Sequence, residues 1–197
     1  MAAQIEKRHY TIEEYLAQEE TAEYKSEYLD GEIVPMTGGT TNHNRIIIDF
    51  CTYLNFALRK QNAEIFAGDV CLWIPSNRQF TYPDIMVIKG KPTYEGKGTS
   101  TITNPALIVE VLSQSTKNYD RGDKFLAYRS LASFQEYILI DQYSLYVEQF
   151  AKTSEGKWLL TEYKGKDAIL ELAVIDFQMP LKELYERVNF ELNNTNP

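Results

Sequence analysis

A carboxylate set inside an apolar run is the feature of this 197-residue chain that most restricts its fold. Residues 106–109 read Ala-Leu-Ile-Val, Glu110 interrupts them, and Val111 and Leu112 resume the run. A short apolar stretch of this kind reads as a buried strand. An acid within it is costly unless it is paired or meets a cation. The fold must therefore bring a partner to Glu110, or leave it facing water at a sheet edge. A polar loop rich in Ser, Gln and Thr follows, and then a helical-looking segment, 120–129, with basic residues at Arg121, Lys124 and Arg129.

Composition sets the frame for that partner. Hydrophobic residues make up 44% of the chain and aromatics 13%, which predicts a folded protein with a sizeable core. The length suits one α/β domain over residues 1–197. No apolar run reaches membrane-span length, and the first ten residues carry no apolar leader core, so a cytoplasmic location away from membranes is expected. Cys51 and Cys71 sit in apolar surroundings and read as small buried hydrophobes. Two cysteines and two histidines without ligand spacing argue against a disulfide or zinc site. The net charge of −8 argues against a general nucleic-acid coat protein. Residues 86–129 are the exception, with seven bases against four acids, and Glu110 lies among them.

Read in order, the chain opens with Thr11-Ile12-Glu13-Glu14, a capping box for a helix over about 11–22, with Tyr10 and Tyr15 placed as a hydrophobic staple. Asp30-Gly31 between apolar arms predicts a hairpin. Thr41 or Asn42 can cap a long helix over 43–61, with Ile46, Ile47, Phe50, Leu54 and Leu58 at helical spacing. A strand is expected over 64–74, with Val70, Leu72 and Ile74 on one face and Asp69, Cys71 and Trp73 on the other. A polar loop is expected over 75–81, a short strand over 83–88, and a mobile surface loop over 89–103. Three later strand signals, 136–141, 145–150 and 158–163, suggest an antiparallel meander. Pro180 suits the first position of a last helix over 180–188, and 193–197 should fray.

Asp84 opens one expected strand and Glu110 lies in another, so neighbouring strands would bring two carboxylates together. Like charges held close raise a pKa or recruit a cation. Oxygen-only ligation suits Mg²⁺ or Mn²⁺. Such an ion can activate water for attack on a phosphate, and a nearby lysine can stabilise the charge that develops. Lys124 is the candidate for that lysine. The plainer accounts are a solvated strand-start aspartate after Pro83 and a lysine on a solvated helix face. Asp120 and Asp123 read as acids favoured at a helix start, and Tyr119 and Tyr128 as packing residues. His43, at a helix start, is a secondary candidate able to approach a phosphate or activate water.

The run YPDIMVI, then PALIVEVLSQST, then YDRGDKFLAY resembles the PD-(D/E)XK nuclease superfamily. More narrowly, it resembles a large group of restriction-endonuclease-like proteins of largely unassigned biological role. The resemblance runs from about Tyr10 to about Asp141. It implies a restriction-endonuclease-like mixed β-sheet flanked by helices, and a metal-dependent endonuclease hydrolysing DNA phosphodiesters, with Asp84 and Glu110 as metal ligands. One departure stands out: the superfamily's lysine two residues after the acid is Leu112 here. In the narrower group the lysine has moved to the following helix, which points to Lys124, with Lys117 in the loop as competitor. The resemblance at SEYLDGEIVPM also makes Glu27 the first of the additional acids, ahead of Glu32 and Asp69. A homodimer would suit cleavage of both strands of a duplex. The displaced lysine and the acidic balance leave a second reading, a catalytically inactive nuclease fold that binds nucleic acid or a protein partner.

Overall fold

The computed structural model describes residues 8–191. Thr11 caps helix α1 (Ile12–Glu19) through the expected capping box: Glu14 N donates to Thr11 Oγ1 at 3.2 Å, and Thr11 N donates to Glu14 Oε2 at 2.9 Å. The helix stops at Glu19, three residues short of expectation, and Tyr10 packs on the cluster that contains Tyr15. The hairpin forms as expected, with β1 (Ser26–Leu29) antiparallel to β2 (Glu32–Pro35). Asp30 and Gly31 both have positive φ, 42° and 102°, as a two-residue turn of this hand requires. Helix α2 (Thr41–Leu58) is capped by Thr40, one position earlier than expected, whose Oγ1 accepts from His43 N at 3.1 Å.

The single strand expected over 64–74 is two, β3 (Ala63–Ala67) and β4 (Cys71–Ile74). Gly68, at φ +68°, turns the chain between them, and its N–H donates to Asp84 O at 3.1 Å. The predicted alternation survives in β4, with Leu72 and Ile74 in one core and Cys71 and Trp73 in another. Residues 75–81 are not a polar loop. A 3-10 turn (Pro75–Asn77) leads into β5 (Gln79–Thr81), whose three residues are all buried. After β6 (Ile85–Lys89), the expected loop over 89–103 contains β7 (Thr101–Ile102), and Tyr94 bridges to Ile102. Strand β8 (Leu107–Leu112) is followed by α3 (Lys117–Tyr119), a π-helical turn (Asp120–Lys124) and α4 (Phe125–Tyr128), one run that starts earlier than expected. The meander appears as β9 (Glu136–Asp141), β10 (Tyr146–Lys152) and β11 (Trp158–Lys164). A small hairpin, β12 (Ile169–Glu171) with β13 (Gln178–Pro180), was not anticipated. Pro180 ends β13 and caps α5 (Leu181–Leu184), so it precedes the helix, which is shorter than expected. The expected fraying tail lies outside the described residues.

Two mixed sheets result. One runs β2-β1-β5-β4-β7, the other β11-β10-β9-β8-β6-β3, and β4–β7 and β8–β9 are parallel pairs. Helix α2 lays Ile46, Phe50 and Leu54 against Leu107, Val109 and Val111 of β8. The other face of β8 sends Ile108 and Leu112 into a core with Phe125, Tyr128, Phe134 and Tyr137. Strand alternation therefore puts Glu110 on the Tyr128 side. Strand β5 belongs to one sheet and β6 to the other, so residues 82–84 cross between them. Cys71 is buried and Cys51 half-buried, both as free thiols. No helix among the described residues is long and apolar enough to cross a membrane.

Candidate active site

Strand register brings the two central acids together. Strand β6 runs antiparallel to β8 with Ile85 opposite Val109, so Asp84, one residue before β6, comes opposite Glu110. Asp84 N donates to Glu110 Oε2 at 3.4 Å, and Val111 N donates to Asp84 Oδ2 at 2.7 Å. The other sheet contributes Glu27. Tyr28 of β1 pairs with Phe80 of β5, which sets Glu27 beside Thr81, whose hydroxyl donates to Glu27 Oε1. The π-helical turn delivers the cation. Lys124 Nζ lies 2.9 Å from Glu110 Oε1, 3.5 Å from Asp120 Oδ1 and 3.7 Å from Glu27 Oε1. Tyr128 OH donates to Glu110 Oε1 at 2.7 Å, and His43 Nε2 stands 3.2 Å from Asp84 Oδ2.

The cluster holds more acid than base. Glu110, Asp120, Glu27 and Lys124 are 4%, 2%, 8% and 7% exposed, and Asp84 is half-buried beside them. Three carboxylates thus share one ammonium, and Asp84 adds a fourth acid beside Glu110. Burial pushes the Glu110 carboxyl up to about 8; Lys124 pulls it down, while Asp84 and Asp120 push it further up. Burial also raises Asp120. For Lys124, burial opposes the charge, but Glu110, Glu27 and Asp120 outweigh it and hold the amine protonated well above the ordinary lysine range. Burial and the Glu110 charge hold the Tyr128 hydroxyl neutral, so it serves as a donor. An acid excess in a low-dielectric site is relieved by a proton or by a further cation.

Of the residues singled out from sequence, Asp84, Glu110, Lys124, Glu27 and His43 meet here. Lys117 does not; it is exposed at the start of α3 and joins no ion pair among the described residues. Leu112 is buried in the aromatic core, on the same face of β8 as Glu110. Asp69 pairs with Lys25 at 2.7 Å, and Glu32 lies opposite Leu29 in the hairpin. Two readings need correction. Asp120 is not a capping acid at a helix start but a buried partner of Lys124, and Tyr128 does more than pack, because its hydroxyl binds Glu110. The signal for both was the spacing of four along 120, 124 and 128, which aligns side chains on one helix face. No group of three or more His, Cys, Asp or Glu among the described residues is arranged to hold a metal ion.

Comparison with known proteins covers most of the chain. The family model Uma2, described as "Putative restriction endonuclease", matches residues 12–182. Protein sll1609 of Synechocystis sp. strain PCC 6803 is 41% identical over 163 residues, covering 83% of this chain and 92% of that protein. Protein slr1290 of the same organism is 36% identical over 178 residues, covering 90% and 92%. A crystal structure described as "a putative nuclease belonging to DUF820", from Anabaena variabilis ATCC 29413, superposes with a TM-score of 0.74 at 18% identity. It covers 91% of this chain and 99% of that one, which is a likeness of fold.

Proposed function

The chain belongs to the Uma2 family, within the restriction-endonuclease-like superfamily, and on that premise we propose that it is a divalent-metal-dependent endonuclease hydrolysing DNA phosphodiesters. The observation that carries the reading is the convergence of Asp84 and Glu110 in a pocket of excess acid with a single ammonium. The donor set fits a hard cation. Both acids are carboxylates, and each keeps one oxygen without a strong donor, Asp84 Oδ1 and Glu110 Oε2. Two carboxylates, with water and substrate phosphate completing the shell, are what Mg²⁺ commonly uses in place of an all-protein cage. Mn²⁺ takes the same ligands.

Asp84 and Glu110 would hold the ion. Bound there, it supplies positive charge for the scissile phosphate and acidifies water. Lys124 supplies the second positive charge, aimed at the negative charge that grows on phosphorus-bound oxygen as water adds and the P–O bond breaks. Glu27 and Asp120 hold the ammonium in place, and the helical anchor of Lys124 fixes it more firmly than a loop would. Cutting both strands of a duplex calls for two such sites, so a homodimer is the expected working form.

The test uses purified protein, supercoiled plasmid and Mg²⁺ or Mn²⁺. Nicking should require the metal, and Asp84→Ala and Glu110→Ala should abolish it. Lys124→Ala should lower it by about 10²–10³-fold, the usual loss for a group that stabilises developing charge. Equal rates in all four proteins would overturn the assignment. A folded wild type that binds duplex but neither cuts it nor takes up Mn²⁺ would be a binding-only nuclease fold.

A further inference from the structure

Each of the two facing carboxylates has one oxygen in close contact with two polar partners. Asp84 Oδ2 receives Val111 N at 2.7 Å and stands 3.2 Å from His43 Nε2. Glu110 Oε1 receives Tyr128 OH at 2.7 Å and Lys124 Nζ at 2.9 Å. The second oxygens differ. Glu110 Oε2 receives only Asp84 N at 3.4 Å, and Asp84 Oδ1 receives no donor among the described residues. The last torsion of a carboxylate side chain is soft, so paired partners on one oxygen decide which oxygen is left to face a ligand.

Tyr128 and His43 have little freedom of their own. Tyr128 is fully buried, with its ring edge-on to Tyr137 at 5.5 Å and tilted against Phe134 at 5.8 Å. His43 sits in the first turn of α2, and a Cβ built on Gly39 would lie 2.8 Å from His43 Nδ1. Any side chain at position 39 would crowd the imidazole, so glycine leaves the ring the room it occupies beside Asp84.

We propose that His43 and Tyr128 are positioning residues that preset Asp84 Oδ1 and Glu110 Oε2 as the two oxygens offered to a divalent cation. The inference rests on the metal-dependent reading and adds to it two residues that touch neither ion nor substrate. They act as the outer polar contacts that orient ligands at metal sites.

The experiment titrates Mn²⁺ into full-length wild type, Tyr128→Phe, His43→Phe and His43→Gln by calorimetry without nucleic acid, with thermal melts alongside. Tyr128→Phe and His43→Phe should each bind Mn²⁺ about 10- to 100-fold more weakly, as removal of an orienting partner does. His43→Gln keeps an N–H donor and should recover most of the affinity. A purely structural role would lower the melting temperature and leave Mn²⁺ affinity unchanged. Wild-type binding matched by both phenylalanine variants overturns this inference alone. Absence of Mn²⁺ binding by wild type overturns the metal-dependent reading, and this inference with it. Should Tyr128→Phe fail to fold, the contrast between His43→Phe and His43→Gln still decides the matter.

Discussion

Lys124 holds its charge in a place with almost no water, and three carboxylates within 3.7 Å make that possible. Removing the ammonium would leave Glu110, Asp120 and Glu27 buried without a counter-charge. Lys124→Met should therefore destabilise the metal-free protein by about 3–5 kcal/mol, measured by urea unfolding. Adding Glu110→Gln to that variant should recover part of the loss, because the two residues share one interaction and their effects cannot add. A loss below about 1 kcal/mol, in the range of an exposed pair, would show that the acids are solvated and not held as described. At this scale the sequence exposed Asp84 and Glu110 plainly, because one follows a proline at a strand start and the other breaks an apolar run. It concealed Asp120, since an aspartate near a helix start has an ordinary explanation in capping.

Among the elements, the π-helical turn Asp120–Lys124 matters most to the site. A π turn bonds i to i+5, carries an extra residue, and is a rare element frequent at functional sites. Here it lies between α3 and α4 and carries both buried charges of the helix, Asp120 and Lys124, to the Glu110 face of β8. A second element-level tie lies away from the site. The fully buried Glu136 carboxylate at the start of β9 accepts from Ala173 N, Val174 N and Gln149 Nε2, which fastens the β12–β13 loop to the meander. Burial raises its pKa above the ordinary 4.5, while the hydrogen bonds pull it back only in part. The folded chain then keeps this proton to higher pH than the unfolded chain does. Glu136 thus favours folding less as pH rises above about 4.5. Unfolding free energies of wild type and Glu136→Gln across that range should show the falling slope in wild type and its loss in the variant. Parallel pH profiles would mean that Glu136 titrates alike in both states. The strands of the meander were legible from alternation and turn residues, but the contact from Glu136 to residues 173–174 spans 37 or more positions and leaves no local trace.

For the whole molecule, the site sits where the two sheets meet. Glu27 comes from one, Glu110 from the other, and Asp84 from the crossing segment. Its geometry depends on how firmly each sheet is backed. Leu54, fully buried, packs in the α2 core that supports β8 from behind. Leu54→Ala should cost about 2–5 kcal/mol by denaturant unfolding, the usual range for a buried leucine that leaves a cavity. A loss under about 1 kcal/mol would mean that α2 is not anchored on β8. The bases of residues 86–129 are spread over several elements. Lys89 closes β6 at the end away from Asp84, Lys117 is exposed at the start of α3, and Lys124 is buried. A strand of five residues separates its ends by roughly 13–17 Å.

The amino-acid order alone determined the local choices. Period and capping residues fixed α1, the Asp30-Gly31 hairpin, α2, β8 and the meander, because those signals act within a few residues. It also marked the acids, since a carboxylate in an apolar run has few tolerable environments. Tertiary structure decided the rest. Only strand pairing could split 64–74 between two sheets, and only packing could seat Lys124 rather than Lys117 among the carboxylates. Contacts between residues far apart in the chain depend on register and burial, which the three-dimensional arrangement alone supplies.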